Sequence, residues 1–521
     1  MAKKLLKPKL RDRGTVIRNP ELVFGLVGPI GVDLDAVVSA LERCLREVHY
    51  TPKVIHLTEH MRHKKVRVKL NFSTYYQRYQ SLIAYANAYR RRARNPAALA
   101  GVSILRIRAE RDAVTGSPAD AALGHAYIIR QFKRVEEIEM MRRVYGRKFI
   151  QVSVYGSAHD RRGVLVDKIR RYDSSPKSDA ACERQAIELI DIDHNQKDDP
   201  HGQRLSDVFH LGDVFVDGID SKKANDTIER FIKAFFGDTK ASPNKDEYGL
   251  YIAAAAALRS VDLSRQVGAA IFSKQGEVIS LGCNEVPKAS GGTYWTDDPA
   301  LIYRDVELGL DTNNERKNEL LHDLIDRMAA ENLFSQRMKK LKSPQKKLSY
   351  LLTKTKVKDS QLMDIIEFGR MIHAEMCAIT DAARLGRATK GASLYCTTFP
   401  CHLCAKHIVS AGIERVVFLE PYPKSYAQKL HSDSITFETD VPNKVAFKPF
   451  IGISPRRYRD IFEKRKRKRD DGKANVWYEK EPTPLIEDRS SAYIENEEPA
   501  TYVALKSLSE RTKPKRSGAA R

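Results

Sequence analysis

The sequence has little tryptophan and little cysteine, and it lacks a long apolar run. Two Trp and seven Cys occur in 521 residues. The cysteine count is odd, and the basic start (residues 1–14) is not followed by the apolar stretch of a secretion signal. The longest apolar stretch, residues 251–258, is far too short to span a bilayer. We therefore expect a cytoplasmic protein of a reducing compartment, with no membrane partner.

Acidic residues are also scarce relative to basic ones. The chain has 90 Lys and Arg against 67 Asp and Glu, a formal net charge of +23. Such an excess favours polyanionic partners, either nucleotide phosphates or nucleic acid, although each basic run could equally be a solvated helix face or a loose tail. Aromatic residues do not alternate with these runs, which argues against a groove for single-stranded nucleic acid. The runs are residues 90–94, 339–347, 464–469 and the last ten residues.

The chain has one CxxC pair, and a histidine and a glutamate precede it at an informative spacing. His373 and Glu375 form an HxE motif, and Cys401 and Cys404 follow Pro400 in a PCxxC motif. One imidazole and two thiolates give Zn²⁺ three ligands and leave its fourth position open, as in catalytic zinc sites. We predict that Glu375 is the general acid and base beside the metal. The combined signature resembles that of zinc-dependent nucleobase deaminases.

Two other interpretations of the CxxC pair are a redox couple and half of a structural zinc site. A structural site usually draws four ligands from two such pairs, and the sequence has no second CxxC. The remaining cysteines are scattered singly and are predicted to be small buried residues: Cys44, Cys182, Cys283, Cys377 and Cys396.

The residues around the motif predict helix, strand, helix and strand in turn. The β-rich runs are residues 393–398 and 415–420, and a helix is predicted to follow Pro400 and to end at Gly412. Both cysteines would then lie at a helix N-terminus, where the helix dipole favours thiolates. We expect the metal to lie between two helix N-termini.

The N-terminal half begins with a glycine-rich segment, residues 22–48, that reads as a strand, a loop and an amphipathic helix. A loop of this kind can cradle phosphate, because backbone N–H groups approach the anion closely. The P-loop lysine is missing, however, so phosphoryl transfer is not expected. The residues predicted to contact a nucleotide, ATP or a dNTP, are Gly25, Gly28, Pro29, Ile30, Gly31, Val32 and Asp33.

The series of a helix from about residue 244, a QVGA hairpin, GCNEVP, HAE and PCxxC resembles the deoxycytidylate deaminase branch of the cytidine deaminase superfamily. This resemblance implies that Asn284 contacts the deoxyribose. Arg265 is a candidate phosphate ligand and Tyr422, with Lys424 and Ser425, lies where such enzymes close the pocket. Between Asn284 and His373, a helical insertion is predicted over about residues 305–361, as a lid, an oligomer contact or a nucleic-acid-binding arm.

Alternating strands and helices in the N-terminal half predict a doubly wound parallel sheet. Nearly the whole chain resembles bacterial anti-phage deoxycytidylate deaminases, in which a P-loop nucleoside-kinase-like domain precedes a cytidine-deaminase-like α/β/α sandwich. The resemblance implies conversion of dCTP or dCMP to the deoxyuridine nucleotide, a homo-oligomer, and control by a nucleotide or an inhibitory RNA. The expected domains are 1–20 (a basic segment), 21–240 (P-loop), 244–455 (deaminase) and 456–521 (a basic extension).

Two other functions are also compatible with the sequence. The protein could deaminate cytidine or adenosine in tRNA or single-stranded DNA, or it could act as an RNA-bound regulatory module. The N-terminal half could also be only an oligomerisation scaffold.

Overall fold

The computed structural model describes residues 17–509 except for 64–65, 174–176, 197–198, 299–302, 423–424, 439–440, 465–466, 475–476, 478–481 and 487–490. The chain forms two compact units: unit 1 combines residues 1–247 with 451–521, and unit 2 is residues 248–450. The boundaries expected from the sequence lay at 240–244 and 455. The structure places the C-terminal segment in the same unit as the N-terminal half.

The described residues contain strands that form two six-stranded sheets. In chain order they are β1 (Leu22–Val27), β2 (Thr51–His56), β3 (His125–Arg130), β4 (Phe149–Tyr155), β5 (Val214–Asp217), β6 (Gly268–Phe272), β7 (Val278–Cys283), β8 (Ser393–Thr398), β9 (Arg415–Glu420), β10 (Ile435–Thr436), β11 (Val445–Pro449) and β12 (Gly452–Ile453).

The helices of the described residues follow the same chain order. They are α1 (Leu34–Glu47), α2 (Leu57–His60), α3 (Tyr75–Ala93), α4 (Ala98–Thr115), α5 (Val135–Tyr145), α6 (Ala158–Tyr172), α7 (Asp179–His194), α8 (Leu205–Phe209), α9 (Ser221–Phe235), α10 (Lys245–Ala257), α11 (Asp305–Leu308), α12 (Thr312–Ala330), α13 (Gln336–Lys339), α14 (Pro344–Lys354), α15 (Ala374–Arg384), α16 (His402–Ser410), α17 (Ala427–Leu430), α18 (Tyr458–Phe462) and α19 (Tyr493–Ser509).

The sheet of unit 1 has the strand order β12-β5-β4-β1-β3-β2. Its first five strands along the chain pair in parallel, as the sequence predicted, and β12 joins β5 antiparallel at one edge. Side chains of β1 alternate between two cores, with Val23 on the face packed by α3, α4 and α5 and Phe24 on the face packed by α1 and α9. Helices therefore cover both faces, and ligands are expected at the carboxyl edge.

The C-terminal helix α19 belongs to the core of unit 1. Ala504 packs so closely on Gly101 of α4 that a Cβ on Gly101 would lie 2.6 Å from the Ala504 Cβ. Beside this contact, the fully buried Arg111 guanidinium donates to Glu21 at 2.9 Å and to Glu497 at 2.7 Å. The expected separate basic extension is thus replaced, over the residues described, by a helix with one buried face. Pro499 inside this helix obscures its helical pattern in the sequence.

The sheet of unit 2 has the order β10-β11-β9-β8-β6-β7. The predicted hairpin is present as the antiparallel pair β6 and β7, and β8 to β11 continue the sheet in parallel. Two glycines allow helices to pack directly on the strands. A Cβ on Gly268 would meet the Ala253 carbonyl of α10 at 2.0 Å, and a Cβ on Gly282 would meet the Ala374 carbonyl of α15 at 2.1 Å.

The insertion is helical, as expected, and consists of α11 to α14. Its start is tied to the segment that precedes α15: the Asn313 amide donates to the Ile365 carbonyl at 2.8 Å and accepts from the Phe368 N–H at 3.3 Å. Arg370 pairs with Asp305 at 3.1 Å. The insertion therefore fixes the chain that leads into the metal-binding helix.

None of the helices in the described ranges combines the length and the apolar character needed to cross a bilayer. The basic run at residues 90–94 is partly structural, because Arg90 is 1% exposed and pairs with Glu137 at 2.8 Å. Residues 465–466 of the run 464–469, and the last twelve residues of the chain, lie outside the described residues.

Candidate metal centre and its pocket

Two helices of unit 2 begin at the same place and bring the metal-binding motif together. His373 is the N-cap of α15, and Cys401 is the N-cap of α16 and accepts from the Cys404 N–H. The helix α16 follows β8 through the PCxxC loop, and α15 begins just after Ile372, which pairs with Glu285 beyond the end of β7. The prediction of two helix N-termini around one site agrees with this geometry.

The three side chains are placed as ligands of one ion. The His373 Nδ1 lies 3.2 Å from the Cys401 Sγ and 3.4 Å from the Cys404 Sγ. In a tetrahedral zinc site, bond lengths of about 2.0–2.3 Å separate such atoms by about 3.5 Å. Among the described residues, His373, Cys401 and Cys404 are the group of metal-binding side chains that meet this condition. The residues present therefore fit Zn²⁺ through the Nδ1 nitrogen and both thiolates.

The electrostatics suit a thiolate at Cys401, while the hydrogen bond to Cys401 and burial raise the pKa of the neighbouring Cys404 thiol. The Cys404 thiol and the His373 ring hold the pKa of the Cys401 thiol at about 4, so that it is a thiolate at neutral pH. The dipoles of two helix N-termini, where the ligands lie, favour the same charge state.

Glu375 lies in the first turn of α15 and points to the same site. Its Oε2 is 3.5 Å from the Cys404 Sγ, and the side chain is 4% exposed. Burial, together with the neighbouring Cys401 charge, raises the pKa of Glu375 to about 7, although a bound cation would act in the opposite direction. A carboxyl group in this position can exchange a proton with a reactant near neutral pH.

A pocket of about 270 Å³ opens over these residues. The sequence-predicted residues His373, Glu375, Cys401, Asn284, Arg265 and Tyr422 all line it. Further residues line the pocket that the sequence reasoning did not identify: Asp262, Ser264, Val267, Asp311, Asn313, Ile366, Gly369, Met371, Thr398 and Phe399. Asp311 and Asn313 come from the insertion, and no local motif marks them.

Asn284 has a structural role in addition to its place in the pocket. Its Oδ1 accepts from the Ala374 N–H at 3.0 Å, and its Nδ2 donates to the Arg265 carbonyl at 3.2 Å. The side chain therefore positions the start of α15. One amide hydrogen and one lone pair remain for a ligand.

Arg265 and Tyr422 lie together at the pocket rim. The Arg265 guanidinium lies 5.6 Å from the centre of the Tyr422 ring and pairs with Glu420 at 3.2 Å. Ser425 donates to the Pro400 carbonyl at 2.9 Å, and Lys424 lies outside the described residues. The ion pair with Glu420 offsets part of the charge that Arg265 could offer to a phosphate.

The predicted nucleotide loop in unit 1 differs from the expectation in two respects. Gly25 is not in the loop: it lies inside β1, where a Cβ would lie 2.7 Å from the Phe149 ring. Asp33 caps α1 by accepting from the Ala36 N–H. Gly28, Pro29, Ile30, Gly31 and Val32 form the loop, and the Ile30 N–H already donates to the buried Asp193 carboxylate at 2.7 Å.

The fold and the metal centre define a class. Residues 243–420 match the family described as the cytidine and deoxycytidylate deaminase zinc-binding region, hydrolases that act on a C–N bond. Residues 243–420 therefore carry the zinc-binding region of this class.

Individual relatives match over parts of their length. The chain is 47% identical over 62 residues to ComE operon protein 2 of Bacillus subtilis (strain 168), a match that covers 12% of this chain and 33% of that protein. It is 48% identical over 54 residues to the deoxycytidylate deaminase of enterobacteria phage T2, covering 10% and 29%. With the Mus musculus deoxycytidylate deaminase it shares 24% identity over 210 residues, covering 40% and 80%. The chain thus spans about a third of the length of the first two relatives.

A solved structure, the dCMP deaminase of cyanophage S-TIM5 in apo form, aligns with 40% of this chain and 99% of its own. The sequence identity is 16% and the TM-score is 0.21, which is too low to support a conclusion.

Proposed function

We propose that this protein is a zinc-dependent hydrolase that converts a deoxycytidine nucleotide, dCMP or dCTP, to the corresponding deoxyuridine nucleotide. The observation that carries the proposal is the meeting of His373, Cys401 and Cys404 with a buried carboxyl group, Glu375, on the floor of one pocket. The family match over residues 243–420 and the deoxycytidylate deaminases among the relatives support this substrate class.

The reaction replaces the C4 amino group of cytosine by oxygen from water and releases ammonia. Zinc, when bound by His373, Cys401 and Cys404, activates the attacking water as a Lewis acid. Glu375 takes one proton from the attacking water and gives it to N3 of the base, and then carries the second proton of the same water to the amino group, which leaves as ammonia. Its burial keeps competing water away, and its position in the rigid first turn of α15 holds the carboxylate beside the reacting atoms.

The walls of the pocket favour a free nucleotide. The amide of Asn284 retains one donor and one acceptor, which suit a sugar hydroxyl, and Arg265 and Tyr422 stand at the rim where a phosphate would emerge. Asp311 and Asn313 of the insertion also line the pocket and reduce the room for a longer polynucleotide strand.

The proposal includes a physiological role. Removal of cytosine deoxynucleotides would deprive a replicating phage of a DNA precursor, with unit 1 controlling the deaminase through a bound nucleotide or RNA in a homo-oligomer. What supports control by unit 1 is its parallel sheet with a ligand-sized cavity at the carboxyl edge.

The test compares ammonia release from dCMP, dCTP, dCTP with added nucleotides, and cytosine-bearing oligonucleotides. We expect turnover of at least one free deoxycytidine nucleotide, and a loss of at least 10³-fold in Glu375→Gln with its zinc content unchanged. The matched control is Glu367→Gln, a nearby but half-exposed carboxylate. Normal turnover in Glu375→Gln, or turnover of oligonucleotides alone, would contradict the proposal.

A further inference from the structure

Unit 1 contains a cavity of about 440 Å³ at the carboxyl edge of its sheet. Its lining comes from the segments that follow β1, β2 and β3, together with α3, α6 and α7. Cavities of this size hold small organic ligands, and the carboxyl edge of an open parallel sheet is where such ligands bind.

The glycine loop beside the cavity already holds an anion supplied by the chain. Asp193 is 2% exposed, and its carboxylate accepts from the Ile30 N–H at 2.7 Å and from the Lys133 Nζ at 2.7 and 3.0 Å. Lys133 also donates to the Gly28 carbonyl at 2.7 Å. The loop N–H that would meet a phosphate and the lysine that would neutralise it are both bound to Asp193.

Cationic side chains also line this cavity. The Arg62 and Arg78 guanidinium groups lie 5.4 and 6.0 Å from the centre of one ring, that of Phe72. Among the residues that the structure describes, no carboxylate lies within 4 Å of the Arg62 or Arg78 guanidinium, both of which line the cavity; Asp35 and Glu59 line it as well, and Asp35 pairs with Arg130. Like charges held together in this way attract an anion, and arginine binds phosphate through two parallel hydrogen bonds.

Two glutamine carbonyl oxygens in the cavity wall lack hydrogen-bond partners among the described residues. The Oε1 atoms of Gln203 and Gln131 are buried and accept no hydrogen bond from any described residue, and Gln203 is 5% exposed. Buried polar atoms are nearly always satisfied, so both carbonyl oxygens call for a ligand with N–H donors. Tyr75 and Tyr79, whose ring centres are 4.7 Å apart, add an aromatic wall suited to a planar ring.

We propose that this cavity binds a nucleoside monophosphate, with the phosphate on Arg62 and Arg78 and the N–H donors of the base towards Gln131 and Gln203. The glycine loop takes no part in binding the phosphate, because Asp193 occupies it. The site deepens the regulatory role given to unit 1 and rests on the proposed function for its effect on deamination, whereas binding itself does not depend on that function.

The experiment is calorimetric titration of the full-length protein with inorganic phosphate, AMP, GMP, dTMP, ATP and the unphosphorylated nucleosides. None of these carries cytosine. We expect at least one monophosphate to bind at least tenfold more tightly than its nucleoside, and ATP to gain less than tenfold over AMP.

The variant Arg62→Gln/Arg78→Gln should weaken monophosphate binding at least tenfold. The matched control, Arg46→Gln/Arg459→Gln, removes the same charge from exposed sites of unit 1 and should bind normally. Gln203→Leu should weaken the monophosphate but not inorganic phosphate. Circular dichroism melting of each variant establishes that it is folded.

Three results would overturn the inference: no binding of any monophosphate below 1 mM, equal binding by the control and the Arg62→Gln/Arg78→Gln variant, or ATP binding at least a hundredfold tighter than AMP. Ammonia release from dCMP, measured on the same samples, separates the two proposals. Monophosphate binding without deamination contradicts only the proposed function, and deamination without monophosphate binding contradicts only this inference.

Discussion

The Ala374 carbonyl lies 2.1 Å from the point that a Cβ on Gly282 would occupy, so the metal-binding helix α15 rests on the bare backbone of β7. The next residue but one on that chain, Asn284, accepts from the Ala374 N–H. The end of β7 thus positions both the carbonyl and the N–H of Ala374, the residue next to His373.

Gly282→Ala should displace the start of α15 and weaken the zinc site. The added methyl group meets backbone atoms that cannot rotate away, and overpacking of this kind costs roughly 1–3 kcal/mol. Zinc content by atomic absorption and ammonia release should fall together. Gly163→Ala, where a Cβ would meet no atom within 4 Å, should leave both unchanged. Full zinc occupancy in Gly282→Ala would show that the helix does not need this contact.

Asp193→Ala should strongly destabilise unit 1. Removing one partner from a buried ion pair leaves Lys133 charged without compensation, at a cost of about 3–5 kcal/mol. The double variant Lys133→Met/Asp193→Leu removes both charges and should recover much of this loss. Urea unfolding of the full chain measures both variants. A double variant less stable than Asp193→Ala would contradict this account of the pair.

Glu497→Ala should also destabilise unit 1 by about 3–5 kcal/mol, because the buried Arg111 would lose one of its two carboxylates. The next residue provides the control: Glu498 has a side chain that is 81% exposed, and Glu498→Ala should change the free energy of unfolding by less than about 0.5 kcal/mol. Unfolding of both variants at the same urea concentration would show that the contact between Glu497 and Arg111 does not stabilise unit 1.

Asn313→Ala should raise the KM for the deoxycytidine nucleotide roughly tenfold, equivalent to about 1.4 kcal/mol, with a smaller change in kcat. The variant loses two hydrogen bonds that hold the segment carrying Ile366 and Gly369 against the pocket. Zinc content should not change. Asp323→Ala, an exposed site on the same helix, serves as the control in steady-state kinetics. An unchanged KM would exclude a role for the insertion in substrate binding.

Removal of zinc should expose one thiol to alkylation at pH 8, that of Cys401, which its neighbours hold as a thiolate. The other cysteines are also buried: the hydrogen bond to Cys401 and burial raise the pKa of Cys404, and burial raises the pKa of Cys44 and of Cys283 to about 11, so these thiols stay protonated. Peptide mass spectrometry after treatment with iodoacetamide, with and without a chelator, measures the pattern. Equal labelling of Cys401 in the metal-loaded protein would contradict its role as a ligand.

The features predicted correctly from the sequence depend on residues that lie close together in the chain. The QVGA hairpin, the strands that flank the CxxC pair and the start of α16 each follow from local periodicity and turn residues. The metal ligands could be assigned because HxE and PCxxC fix residue types at short spacings. The geometry of His373, Cys401 and Cys404 then agreed with that assignment.

The features that were missed depend on contacts between distant residues. Nothing near Asp193 in the sequence shows that it reaches Ile30, and nothing near Asn313 shows that it lines a pocket with Glu375. The prediction that Gly25 belongs to the loop was wrong because a glycine inside a buried strand and a glycine in a loop look alike in sequence. The packing of α19 into unit 1 could not be predicted either, since its partners Arg111 and Gly101 lie about 400 residues earlier in the sequence.

Two separate stretches of the chain form unit 1, and the second stretch is synthesised after unit 2. The residues of unit 2 leave the ribosome before α19, so unit 2 can fold while Arg111 still lacks the Glu497 carboxylate. The chain can therefore form its metal centre while unit 1 still lacks α19 and one of the two carboxylates that pair with its buried arginine.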